Sequence, residues 1–400
     1  MVLVVCALAM SSSASDLQTH LIAIEADSAT GTSKAVVCDN LSLVHTTQIV
    51  PFDERGQIIA TDAFTQTSRA LSDLSAVIEP FDCSYATIIK LNICIRSTNN
   101  IPLVRRALAQ TFGYYTNKPA ASFVVTSLPH PDALVAIDAV AVPRLQISRL
   151  TLPIADPIVP LQFQPFGIRP ASRHVRGPLV YVSGMADTNS LPEATRITLK
   201  KLMSAIGGLG LGMSNVLQLK AFFQPMSEVA VVRKAIVDFF QNNAPPTVFV
   251  EWISPGPNPP IEIELVASGK PDETNNNDSV VFLTPSGTTS TKVFSRVAQV
   301  NHGKLIYVSG LYGSNEQSPG DEVRQIFQLL GELLPTTGSD FEHLVKATYY
   351  VSDDLAGEKL NESRPQFYNP MGPPAASKAK VRGVGIAGKT AMIDMIAVTK

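Results

Sequence analysis

Glu262 and Glu264 stand two residues apart in the stretch "IEIELVAS", whose apolar and polar residues alternate. As a strand it puts both carboxylates on one face. A carboxylate crowded by a like charge and shielded from water can exchange a proton near neutral pH. A polar face between parts of the chain is the other reading of the same pattern. Asp138 in "ALVAIDAVAV" and Asp394 in "AMIDMIAV" hold positions like that of Glu264, at distances of 126 and 130 residues from it. Two further motifs recur. Ser183-Gly184 in "LVYVSGMAD" and Ser309-Gly310 in "LIYVSGLYG" form a turn whose backbone N–H groups could meet a ligand, or a turn that only needs glycine's freedom. Pro-Ala-Ala-Ser occurs in "KPAASFVV" and "PPAASKAKV", and the matching place in mid-chain reads "PPTV", with Thr247.

The elements that must position these groups repeat in one order. After the Ser-Gly strand comes a helical stretch such as "EATRITLKKLMSAIGG", then a strand, a second helix and two more strands. Apolar residues at spacings of three and four predict the helices, and alternation with β-branched residues predicts the strands. The first third of the chain fits the same template through "DAFTQTSRALSDLSAVI", "ATIIKLNICIRS" and "ALVAIDAVAV". The reading is a tail or possible signal segment at 1–19, a first unit at 20–145, a proline-rich linker at 146–165, a second unit at 166–268, a polar linker at 269–278 and a third unit at 279–400. The fold class expected is α+β, each unit a mixed sheet with two helices on one face.

Composition narrows the function classes. The 400 residues are 45% hydrophobic, 16% charged and carry a net charge of -2, without a basic run that would suit nucleic acid. Cys6, Cys38, Cys83 and Cys94 lack paired spacing and read as free thiols, and the six histidines form no metal motif. No cofactor is expected. "GVGIAGKT" (383–390) matches a phosphate-binding loop in letters only. Such a loop opens a helix, whereas "AMIDMIAV" alternates like a strand, so a connection between strands is expected. The apolar run at 2–10 is too short to span a bilayer and has no basic residue before it. A cytoplasmic protein is expected, with export by that segment left open.

Each unit resembles the RidA (YjgF, L-PSP) family, a chorismate-mutase-like fold. The resemblance rests on "YVSG" twice, "VKATYYVSD", Asn361 in "EKLNES", "FYNPMGPPAAS" and "IEIELVA". It implies a covalent pseudo-trimer in one chain, monomeric unless it assembles further, with small-molecule clefts between units. In the family's deaminase branch, the resemblance implies an arginine in Pro-Ala-Arg-Ser that clamps the substrate carboxylate by a two-pronged hydrogen bond. It also implies a glutamate in the last strand that works on water. Here the arginine position reads Ala121, Thr247 and Ala376, and the glutamate position reads Ala136, Glu262 and Met392. The Ser-Gly turn is matched to Thr46-Thr47 in the first unit. The expected site is therefore Glu262 as the catalytic residue, with Ser183, Gly184, Thr247, Ser309 and Gly310 binding substrate. Arg173, Arg176, Arg296 and Arg364 are candidates to replace the lost clamp. Two functions follow: an imine or enamine deaminase-like enzyme centred on the second unit, where Thr247→Arg would rebuild the clamp beside Glu262, or a binding protein without catalysis. The ribonuclease activity claimed for some family members fits poorly with the charge.

Overall fold

The computed structural model describes residues 20–53, 55–59, 62–145, 167–253, 259–270, 277–313 and 318–400. The expected N-terminal segment and proline-rich linker lie outside the described residues.

The N-terminal third holds β1 (Leu21–Ile24), β2 (Ala35–Cys38), β3 (Leu43–Thr46), α1 (Ala63–Ile78), β4 (Ile88–Ile95), α2 (Ile101–Phe112), β5 (Ala120–Val125) and β6 (Val135–Ala141). The middle holds β7 (Ala171–His174), β8 (Leu179–Asp187), α3 (Leu191–Gly207), β9 (Val216–Phe223), α4 (Val229–Phe239), β10 (Thr247–Glu251) and β11 (Ile261–Ser268). The last part holds β12 (Val280–Leu283), β13 (Val297–Val300), β14 (Leu305–Val308), α5 (Pro319–Thr336), β15 (Leu344–Val351), α6 (Asp354–Phe367), β16 (Ala375–Lys380), β17 (Gly383–Val384) and β18 (Ala391–Val398). Helix starts follow local chemistry. Asp62, Ser318 and Asp353 cap α1, α5 and α6 by accepting from the N–H groups of Thr65, Asp321 and Ala356. Pro319 opens α5, where its missing N–H costs nothing.

The strands form three six-stranded sheets, ordered β17-β5-β4-β6-β3-β7, β10-β9-β11-β8-β13-β12 and β1-β2-β14-β18-β15-β16. In each sheet a parallel pair spans a crossover helix: β4 with β5, β9 with β10, β15 with β16. The two helices of each third pack on one sheet face over their own apolar core, for example Leu71, Leu74 and Val104 over Ile93 and Ile137. The opposite faces meet in cores shared by all three thirds, such as Ile89, Tyr181 and Tyr307.

The sheets do not follow the unit boundaries read from the repeat. Strand β2 leaves the first unit to pair with β14, so that Cys38 faces Leu305. Strand β7 pairs with β3, His174 facing Leu43, and β13 pairs with β8, Val300 facing Leu179. The leading strand of every unit thus completes the sheet of the unit before it in a closed cycle. The register is the one a short hairpin within each unit would have given, so the backbone hydrogen bonds are the same in kind. The stretch resembling a phosphate-binding loop holds β17, which pairs with β5, and then runs into β18, with no helix after it.

Where the three sheets converge, the central cavity of about 60 Å³ is lined by charges. Lys90 Nζ contacts Asp394 Oδ1 at 2.7 Å, and Lys346 Nζ contacts Glu264 Oε2 at 2.6 Å. Each pair joins two units. The third corner breaks the pattern, because Gln218 stands where a lysine would and donates instead to the Thr46 carbonyl at 2.7 Å. Asp138 has the Asn92 amide at 2.8 Å and the charge of Lys220 from farther away, and burial still pushes its carboxyl up to about 6. Cys38, Cys83 and Cys94 are buried and free.

Candidate functional site

Ser183 in β8, Ser309 after β14 and Thr47 after β3 each meet a strand of another unit, β16, β5 and β10, and this makes three related junctions. At the first, Ser183 Oγ accepts from Ala376 N at 2.7 Å and donates to the Ser295 carbonyl at 2.6 Å. At the second, Ser309 Oγ accepts from Ala121 N at 2.7 Å and donates to the Ser33 carbonyl at 2.6 Å. At the third, Thr47 Oγ1 donates to the Thr247 carbonyl at 2.8 Å and accepts from Thr247 N at 3.3 Å. The threonine equivalent to Ser183 and Ser309 is therefore Thr47, followed by Gln48. The match to Thr46-Thr47 was one residue early, because Thr46 is the last residue of β3 and its neighbour makes the junction.

These hydroxyls act as staples between units. The glycine N–H groups are also committed: Gly184 N donates to Ser377 Oγ at 3.2 Å and Gly310 N to the Ala121 carbonyl at 3.1 Å. The structure leaves Ser183 and Ser309 no free hydroxyl for a ligand.

Glu262 belongs to the first junction. A Cβ at position 184 would lie 2.0 Å from its Oε1, so a side chain there would push the carboxylate from its place. Burial raises its carboxyl to about 7, helped by the charge of Glu264 and opposed by hydrogen bonding from Ser377 and the charges of Lys346 and Arg296. In Glu264, burial is outweighed by Lys346 and Lys220, which hold it below the ordinary carboxylate range. Two carboxyls on one strand are thus driven apart in acidity by their surroundings. An open cavity of about 360 Å³ adjoins this junction, lined by Gly184, Met185, Lys201, Ser204, Thr288 and Arg296 among others. Glu262 does not itself line it, but Gly184 touches both.

At the other junctions side chains stand close to the staple. At the second, a Cβ on Gly310 would lie 2.4 Å from Met392 Sδ, and Tyr312 Oη donates to that sulfur at 3.0 Å. At the third, the Gln48 side chain stands where the others have glycine, and its Oε1 accepts from Phe249 N at 3.4 Å. Thr247 is 1% exposed, and its hydroxyl donates to the Pro245 carbonyl at 2.9 Å.

Thr247 and Glu262 are neighbours in sequence but face different junctions. The residue equivalent to Thr247 that shares a junction with Glu262 is Ala376, from the third unit. Thr247→Arg is expected to lose several kcal/mol of stability, since it buries a guanidinium with no carboxylate beside it. It is not expected to rebuild a site at Glu262. Ala376→Arg, at a partly exposed position, is expected to fold normally. Urea unfolding of both variants checks this, and a stable Thr247→Arg protein would contradict the assignment.

Of the four candidate arginines, Arg296 alone is brought to the Glu262 junction, its Nη1 donating to the Gly184 carbonyl at 2.9 Å. Arg173 lies over the Phe81 ring at 5.3 Å and Arg364 over the Tyr349 ring at 5.0 Å. The backbone N–H of Arg176 donates to Ser42 Oγ at 3.3 Å. Ser377 is a further partner of Glu262 that the sequence alone does not single out. Its signal was alternation, which puts it on the face opposite Ala376. Among the described residues no group of side chains could hold a metal ion, and no helix is long and apolar enough to cross a membrane.

The sequence model of the family described as Endoribonuclease L-PSP matches residues 24–143 and 288–399. A RutC family protein from Pyrococcus horikoshii is 29% identical over 93 residues, 23% of this chain and 72% of that protein. Protein DfrA from Myxococcus xanthus is 29% identical over 113 residues, 26% of this chain and 85% of that protein. Among solved structures, a YjgF family member from Neisseria meningitidis is 20% identical, covering 30% of this chain and 95% of its own, with a TM-score of 0.23. Yeast Mmf1 is 20% identical, covering 28% of this chain and 86% of its own, with a TM-score of 0.24. The two matched segments together span more than half of the 400 residues, and the chain belongs to the endoribonuclease L-PSP (RidA, YjgF) family.

Proposed function

We propose that the chain acts on a small imine or enamine at a single site, the Glu262 junction, by hydrolysis of the deaminase type. The observation that carries this reading is Glu262 itself. It is the one carboxylate among the three equivalent positions Ala136, Glu262 and Met392, and its acidity is set near neutrality by burial and Glu264. The open cavity beside Gly184 supports the same junction.

In the reaction, Glu262 takes a proton from water as the hydroxyl oxygen bonds to the imine carbon, and the nitrogen takes up a proton. The carbon–nitrogen bond of the resulting amino alcohol then breaks, releasing ammonia and leaving a carbonyl. No electrons are exchanged with a third partner. A base at about 7 is half ionised at working pH, the condition in which such proton transfer is effective. The alanine at 376 favours a second reading, a binding protein without turnover, because a two-pronged clamp is missing there.

The test is hydrolysis of 2-iminobutanoate, generated in place by an amino acid oxidase, across pH. The carboxylate form is the active one, so kcat/KM is expected to rise with pH through an apparent pKa near 7 and then level off. A rate equal to that of buffer at every pH would leave the binding reading in its place.

A further inference from the structure

Arg296 is a partly buried guanidinium without a salt bridge among the described residues, the charge of Glu262 acting on it only from beyond contact distance. Its Nη1 and Nε donate to the carbonyls of Gly184 at 2.9 Å and Thr289 at 3.2 Å. Its carbon lies 5.1 Å from the centre of the Phe294 ring. Among the described residues no carboxylate comes within ion-pair distance of it. Carbonyls and a ring fix the fork in place but do not neutralise it, and a fixed, half-desolvated guanidinium binds oxyanions well. The group also lines the open cavity.

The neighbouring cations are differently placed. Lys201, on the α3 side of the cavity, is already paired with Asp187 Oδ2 at 2.8 Å and bonded to the Ala186 carbonyl at 2.8 Å. Arg364 is held over Tyr349 and is 8% exposed. Lys378 donates to Asn361 Oδ1 at 3.3 Å and is not among the residues lining the cavity. The equivalents of Arg296 are identified by the bond each carbonyl accepts from the junction residue. Ser183 N donates to Arg296 O at 3.0 Å, Ser309 N to Lys34 O at 2.8 Å and Thr47 N to Pro170 O at 2.8 Å. Lys34 is an exposed residue paired with Glu25, and Pro170 has no charge. The guanidinium and the open cavity therefore meet beside the junction that holds Glu262, with Gly184 between the carboxylate and the cavity.

We infer that Arg296 is the anion-binding residue of this site, holding the carboxylate of a small 2-oxo or 2-imino acid in the cavity between α3 and residues 286–289 instead of beside position 376. The inference rests on the Glu262 junction being the ligand site, and it reverses the side from which the anion is held. It makes Arg296, the residue just before the strand β13 that crosses from the third unit, the specificity residue.

The experiment is binding of pyruvate, with its neutral amide pyruvamide as control, by calorimetry at low salt. The proteins are wild type, Arg296→Gln, Arg296→Lys, Lys378→Gln and Glu262→Gln, each checked for an unchanged circular dichroism spectrum. Loss of one charge-assisted contact is expected to weaken pyruvate binding roughly ten- to a hundredfold in Arg296→Gln. Arg296→Lys should recover part of it, Lys378→Gln should bind like wild type, and Glu262→Gln should bind as well or better because a like charge has gone. Pyruvamide affinity should not follow residue 296. No pyruvate binding by wild type, equal binding by Arg296→Gln, or a loss in Lys378→Gln in place of Arg296→Gln would each overturn the inference. Arg296-dependent binding with no imine turnover would sink the hydrolytic reading alone and leave the anion site standing.

Discussion

Glu262→Gln is expected to cut imine hydrolysis by roughly a hundred- to ten-thousandfold, the usual share of a general base. The amide matches the carboxyl in shape and cannot take the proton from water. It also fits against Gly184 as the carboxyl does, because the glycine is unchanged. Stability separates this from misfolding. The folded carboxyl titrates at about 7 and the ordinary glutamate at 4.5. Its raised value means that the neutral form suits the fold, so its stabilising contribution is complete below pH 4.5 and is lost as pH rises through 7. Glutamine stays neutral throughout. Its thermal midpoint should exceed that of wild type at pH 8, with the gap closing below pH 5. Low activity with a higher midpoint at pH 8 is the expected combination, and full activity in Glu262→Gln would remove Glu262 from the chemistry.

Asp394→Asn is expected to cost about 3–5 kcal/mol of stability, the range for breaking a buried pair by removing one partner. Lys90 is buried, and its ammonium would keep Ser122 Oγ at 2.8 Å, the Val308 carbonyl at 2.6 Å and at most an amide oxygen at 394. None of these carries charge. Asp138→Asn is expected to cost far less although the two residues are equivalent. Gln218 has already removed the lysine from that corner, and an asparagine oxygen can still accept from Asn92. Urea midpoints of the two variants give the comparison. Equal losses would mean that the three corners of the axis are not distinguished by the missing lysine. The contrast bears on function as well, since Glu264 links this axis to Glu262 along one strand. A disturbed Lys346–Glu264 pair would change the charge that helps hold Glu262 near 7.

The departures at the clefts were visible in the letters. Ala121, Thr247 and Ala376 stand at equivalent places in the three units, as do Ala136, Glu262 and Met392. The crowding at two junctions was less legible. Gln48 and Tyr312 stand there with side chains whose direction depends on neighbours far away in sequence. Arg296 stood among four arginines of equal standing, because the fate of a guanidinium is decided by what lies within a few ångströms of its fork.

The sequence by itself determined three α+β units, since each carries its own alternation, helical periodicity and caps, and these are local properties. It also determined that Glu262 has no carboxylate counterpart in the other two units. Only the tertiary structure decided which residues share a cleft. The edges of the three sheets offer the leading strands the same register and the same backbone hydrogen bonds, so no local preference distinguishes a unit's own edge from its neighbour's. The closed exchange of β2, β7 and β13 is a property of all three sheets together. It sets Arg296 and Ala376 of the third unit against Glu262 of the second, and leaves Thr247, fifteen residues before that glutamate in the chain, buried at another junction.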